Sequence, residues 1–113
     1  MTGLMGKSLA EMMEEVYQHN EKKGWHIEGM RFAEYIALLH SEASEALEAF
    51  RDRQMDNYTT PDGKPDDVAS ELADVFIRVL DMCSIYCIDL EAEYERKMAY
   101  NRTRPWRHGG RTL

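Results

Sequence analysis

Residues 40–50, HSEASEALEAF, and residues 70–80, SELADVFIRVL, decide how this chain folds. Glu42 and Glu45 stand three apart in the first stretch, and Glu71 and Asp74 stand three apart in the second. Both stretches carry helical hydrophobic spacing, so each acidic pair occupies one helix face. Between them lies MDNYTTPDGKP, residues 55–65, rich in turn formers. The two helices can therefore fold back side by side. Four carboxylates then face one another across a narrow gap. Such a group repels itself and is costly to desolvate unless cations share the space. Hard divalent ions with oxygen ligands suit it best, Mg2+ above all, with Mn2+ as a substitute.

Working outward, the pattern predicts an all-α chain of four helices. The first covers about Ser8 to Glu21 and ends at Lys22-Lys23-Gly24. A connector, Trp25-His26-Ile27-Glu28-Gly29, leads to a second helix over about Met30 to Gln54. Pro65, Asp66 and Asp67 start a third, which continues to about Cys87. A break at Ile88-Asp89 precedes a fourth helix from Leu90 to about Arg104, stopped by Pro105. No repeat and no strand alternation is visible. Residues 1–104 read as one domain and residues 105–113 as a basic tail.

Helical projection sharpens the acidic motifs. On the second helix Ile36, Leu39, Ala43, Ala46, Leu47 and Phe50 form one apolar stripe. Glu42 falls at its margin beside Tyr35, Leu38 and Ala49, Glu45 one step further round, and Glu48 toward solvent. The third helix is apolar over most of its circumference and is expected to be buried on nearly all sides. Its polar residues share one strip: Asp67, Glu71, Asp74, Arg78 and Asp81. A plain solvent-facing reading of that strip would pair Asp74 with Arg78 at i,i+4.

The chain has 113 residues, 43% hydrophobic and 31% charged, with a formal net charge of −7. That balance argues against a general nucleic-acid binder. No apolar run approaches the roughly 20 residues of a membrane span, and the first residues lack the pattern of a signal peptide. Cys83 and Cys87, four apart on an apolar surface, read as core thiols. A cytoplasmic location is expected.

The pattern Glu42-Ala-Ser-Glu45, a spacer, then Glu71-Leu-Ala-Asp74 resembles the signature of the MazG-like, all-α nucleoside triphosphate pyrophosphohydrolase superfamily. That group includes dimeric dUTPases, dCTP pyrophosphatases and HisE-type enzymes. LLHSEASEALEAFR resembles its first motif helix, and ELADVFIRVLDMCSIYCIDLEAEYERKMAYNRTR its second motif helix and the one after. The resemblance covers about Phe32 to Arg104. It implies a four-helix unit that assembles into an oligomeric bundle, as a dimer or tetramer. It also implies Mg2+-dependent cleavage of a nucleoside triphosphate between the α and β phosphates.

On this reading Glu42, Glu45, Glu71 and Asp74 hold metal, and Glu45, nearer solvent, accepts the proton of the attacking water. Lys97, Asn101 and Arg104 share a face of the fourth helix, and KMAYNR resembles the phosphate-contacting helix of the superfamily. Trp25 and His26 are the candidates for the base, with Phe32 and Tyr35 beside them. Arg107, His108 and Arg111 in the tail are further candidates to close over phosphates. His40 stands outside the motif spacing.

Two other classes fit parts of the sequence. A di-iron or di-manganese carboxylate bundle normally uses a Glu-x-x-His spacing, whereas positions 45 and 74 are Glu and Asp. A non-catalytic helical module could use the acidic strip to grip a basic partner surface.

Overall fold

Ser8 opens the first helix with a reciprocal cap. Its Oγ accepts from Glu11 N at 3.1 Å, and its own N donates to Glu11 Oε1 at 2.8 Å. The computed structural model describes residues 6–26 and 28–106. Helix α1 runs Leu9–Lys22, α2 Phe32–Arg53, α3 Val68–Ile85 and α4 Leu90–Asn101. The boundaries agree with the sequence within a few residues. The largest difference is at α4, which gives way to turns from Arg102 rather than running to Arg104. The loop before α3 holds a single bridge, Thr59 to Pro65, and no strand is formed among the described residues.

Asp67 explains why α3 starts where it does. Its Oδ1 accepts from Ser70 N at 2.9 Å, and its Oδ2 accepts from Tyr58 N at 2.8 Å. One carboxylate thus caps the helix and ties down the loop, and those backbone donors hold its pKa below the usual value. Arg53 stacks over Tyr58 at 3.9 Å, so the end of α2 grips the same loop. Gly63, at φ +93°, supplies the turn conformation that side-chain-bearing residues rarely adopt. Asp89 caps α4 through Ala92 N at 3.0 Å.

Helix α3 lies between α2 and α1 and contributes Leu80, Met82 and Cys83 to the core, which α2 completes with Tyr35 and Ala49. Ser84 Oγ donates to Met13 O at 3.2 Å and ties α3 to α1. Helix α4 rests lightly on α1 and has no buried residue. The radius of gyration is 17.1 Å, against roughly 13 Å for a compact chain of this length.

Burial within one chain follows the sequence pattern only in part. The apolar stripe of α2 is covered only in part within one chain: Ile36, Leu39 and Ala46 are half-buried, Leu47 and Phe50 are exposed, and the fully buried residues are Tyr35 and Ala49, on the flank that also carries Glu42. Helix α3 is not buried all round within one chain, since Leu72, Phe76 and Ile77 are exposed, in line with an apolar surface too large for three neighbouring helices to cover. Cys83 is buried as expected, but Cys87 is exposed. The helix unwinds there, with Cys87 at φ +56° and Ile88 N bonded back to Cys83 O at 2.8 Å. Among the described residues, no helix is long and apolar enough to cross a membrane.

Candidate functional site

The contact between α2 and α3 brings three of the predicted carboxylates together. Glu42, Glu45 and Glu71 each offer an oxygen, and these oxygens lie within 4.8 Å of one another. Glu71 is only 3% exposed. Its Oε2 is buried without a hydrogen-bond partner among the described residues. An orphaned buried carboxylate oxygen is costly, so it marks a place where a proton or a cation belongs. Around Glu71 stand further carboxylates, Asp66, Asp74 and Glu45, which can only accept when ionised. Burial first, then Asp66, Asp74 and Glu45, push its pKa up to about 7. The donor set is oxygen-only and gathers within 4.8 Å, so it fits a hard divalent cation.

Asp74 adjoins this set rather than forming part of it. Burial and then the charge of Glu42 raise its pKa, while Glu71, Lys64 and Arg78 ease it. Arg78 does not pair with Asp74: its Nη2 donates to Glu42 Oε1 across the α2–α3 contact at 2.8 Å. Glu48 lies exposed in an ion pair with Arg51, as its angle on the helix required.

Beside the acids lie hollows that share Asn20 and Trp25. One, about 200 Å³, also touches Glu42, Asp74, Ile77 and Arg78. Another, about 370 Å³, is lined by Gly24, Met30, Tyr35, Leu38, Arg78 and Asp81. Trp25 is 60% exposed at their rim, in edge contact with the ring of His19. The structure therefore puts Trp25 within one wall of the acidic cluster. His26 is differently placed. Its Nδ1 lies 2.6 Å from Glu21 Oε2 and its Nε2 lies 2.9 Å from Asp81 Oδ1, so both ring nitrogens are taken within the protein. No ring nitrogen is left for a base edge. Phe32 and Tyr35 meet Tyr86 instead, edge to face.

Lys97, Asn101 and Arg104 are exposed on α4 and the turn after it. Helix α4 makes no contact with α2 or α3 comparable to its contact with α1, so the structure does not bring this trio to the acids in one chain. Arg107, His108 and Arg111 lie outside the described residues.

Asn20, Asp66 and Lys64 border the site but carry no signal of it in the sequence. Asn20 is the one buried residue of α1 among those described. Asp66 was hidden by its neighbour Asp67, which takes the capping role that both residue types signal. Lys64 sits in a turn, where lysine carries no pattern.

Comparison of the chain with protein-family models, curated proteins and solved structures gives no match.

Proposed function

We propose that this chain is a Mg2+-dependent nucleoside triphosphate pyrophosphohydrolase, releasing the monophosphate and pyrophosphate. One observation carries the reading. Three carboxylates on two helices converge within 4.8 Å, and one of them buries an oxygen with no partner. Glu42, Glu45 and Glu71 are the residues that would hold the ion, with Asp74 at the edge of the set. An ion held there would offset the charge of the acids and of a polyphosphate and would supply a more acidic water. An all-carboxylate set favours this over a di-iron or di-manganese centre, which normally includes histidine. A surface that grips a basic protein partner has no use for an acid buried as deeply as Glu71.

The chain's own residues supply the rest. Glu45 is the exposed member of the set and takes the proton as water attacks the α phosphorus. The bond between that phosphorus and the oxygen bridging to the β phosphorus breaks, and pyrophosphate leaves. Trp25 offers an indole face to the base, one wall away from the acids. Arg78 holds Glu42 and partly offsets the charge of the cluster.

Association completes the unit. Helix α4 has no buried residue, and Leu47, Phe50, Leu72 and Phe76 are exposed. By helical projection these four lie on one side of the α2–α3 pair, away from Glu45 and Asp74. A homo-oligomer, dimer or tetramer, covers that face and lets Lys97, Asn101 and Arg104 reach the phosphates of a neighbouring site.

The test is a panel of nucleoside triphosphates with Mg2+, scored by product. Pyrophosphate and monophosphate are expected. Orthophosphate with diphosphate, or no turnover on any triphosphate, would remove the reading.

A further inference from the structure

The connector between α1 and α2 carries a largely exposed side chain of the site, Trp25. Gly24, at φ +70°, turns the chain out of α1, and Trp25 N donates to Asn20 O at 2.9 Å. The indole meets the edge of the His19 ring at a centroid distance of 5.3 Å and is 60% exposed. A side chain so exposed does not fix its own orientation. The next residue, His26, is firmly held. Its ring leans on Tyr17 at 4.7 Å and lies between Glu21 at the end of α1 and Asp81 on α3.

We propose that His26 is a positioning residue: as an imidazolium bonded through both nitrogens to Glu21 and Asp81, it straps the connector to two helices and holds Trp25 at the mouth of the acidic site. The strap stands on its own geometry, and only what Trp25 contacts rests on the hydrolase reading.

Hydrogen-bond chemistry dictates the protonation state. A carboxylate can only accept, so bonds at 2.6 Å and 2.9 Å to two carboxylates need N–H at both nitrogens. The groups around the ring agree. From α1 come Tyr17 and Glu21, with His19 beside Trp25 rather than His26. From α3 comes Asp81, and Arg78 shares its hollow. From α2 comes the Tyr35 phenol, whose pKa is raised by burial and then by the charge of Asp81. Burial alone would lower the pKa of His26, but the bonds to Glu21 and Asp81 outweigh it and the net shift is upward.

When the ring loses its second proton, a bare nitrogen faces a carboxylate and one bond becomes a repulsion. Asp81 is 4% exposed and fixed in α3, whereas the side chain of Glu21 lies open to solvent. The mobile side is the connector, so Trp25 is ordered below the pKa of His26 and released above it.

The experiment uses the full chain carrying Trp106→Phe, which leaves Trp25 as the single tryptophan. Histidine nitrogen shifts report the protonation of His26 and of His19 separately, while Trp25 emission and its quenching are followed over the same pH range. Both nitrogens of His26 are expected to carry protons at low pH, with the Trp25 transition at the midpoint of His26. Glu21→Gln removes one negative charge beside the ring and should move both midpoints down together. His26→Gln should abolish the transition. In turnover, KM is expected to rise roughly two- to tenfold across that interval with kcat little changed, the cost of ordering one side chain. A Trp25 signal that follows His19, or that stays put while Glu21→Gln moves the pKa of His26, overturns the strap. So does a singly protonated His26 at low pH. A Trp25 transition that tracks His26 in a protein with no triphosphate turnover keeps the strap and removes only the hydrolase reading.

Discussion

Arg78 reaches from α3 to α2 and donates to Glu42 at 2.8 Å, so a metal-ligating candidate already has a resident cation. Both side chains are largely withdrawn from water, at 31% and 17% exposed, which makes the pair worth more than a surface bridge. Arg78→Gln leaves Glu42 half-buried and unpaired. In chelator the variant should lose about 1–3 kcal/mol of stability. Its affinity for Mg2+ should rise, since the cluster becomes more negative, and saturating Mg2+ should recover most of the loss. Thermal unfolding with EDTA and with Mg2+, beside calorimetric titration of Mg2+, reads both effects. Weaker Mg2+ binding in the variant would mean that Glu42 is not a ligand.

Glu71 gives a pH dependence with a definite sign. Its carboxyl sits at about 7 in the fold, above the ordinary 4.5. Below 4.5 both states are protonated and nothing is lost. Between the two values the unfolded chain sheds its proton while the folded chain keeps it, so stability falls as pH rises. Above about 7 the loss is complete, on the order of 3 kcal/mol at about 1.4 kcal/mol per pH unit. Urea midpoints of the metal-free protein should therefore drop from pH 5 to pH 8. His26 adds a loss of the same direction, so Glu71→Gln is the informative comparison: it should flatten much of the slope and stabilise the metal-free protein at pH 8. Mg2+ should stabilise the wild type most at high pH, where it meets an ionised Glu71. A metal-free wild type more stable at pH 8 than at pH 5 would contradict the burial of this acid.

Activity should separate the carboxylates from their look-alike. Glu42→Gln, Glu45→Gln and Glu71→Gln each remove a charge from the convergent set. Each is expected to lower kcat/KM by roughly two to four orders of magnitude, about 3–5 kcal/mol of transition-state stabilisation. Asp74→Asn, at the edge of the set, should follow with a smaller loss. Glu48→Gln disturbs only an exposed pair with Arg51 and should stay within twofold of wild type, on the order of experimental scatter. Steady-state rates on the best triphosphate decide this. Equal damage from Glu48→Gln and Glu42→Gln would place the site on another face of α2.

The helices and the acidic pairs were legible because their signals are local. Ser8, Asp67 and Asp89 announce their helices by capping, and i,i+3 spacing puts Glu42 with Glu45 without reference to any other element. What failed depended on which body covers which face. Leu47 and Phe50 belong to the most apolar stripe of α2, yet the α3 contact falls on the flank of Tyr35, Glu42 and Ala49. Periodicity finds an apolar face but does not say whether its cover comes from the same chain. Long-range polar partners were equally hidden. Arg78 bonds Glu42, 36 residues away, and His26 bonds Asp81, 55 residues away, and no local pattern ties either pair together.

Lys97 is the residue on which sequence and single-chain geometry pull apart. It is exposed on α4, a helix with no buried residue and no broad contact with α2 or α3. If Lys97 grips the outer phosphates, it does so at the acids of a second copy, and that arrangement makes a subunit-mixing experiment decisive. Lys97→Ala should raise KM for the triphosphate while Mg2+ binding stays intact or strengthens slightly, because a nearby cation has been removed. The loss should be larger for triphosphate than for monophosphate, as expected of a point charge meeting the β and γ groups. Glu71→Gln should be inactive for a separate reason. Co-refolding the two variants lets a mixed dimer pair the intact acids of one subunit with the intact lysine of the other. Random mixing then restores roughly a quarter of wild-type activity in a dimer with two such sites. Recovery above both parents, assayed at triphosphate well below the KM of Lys97→Ala, places Lys97 across the interface. Absence of recovery, in mixtures shown by mass spectrometry to exchange subunits, assigns Lys97 to the site of its own chain or to none.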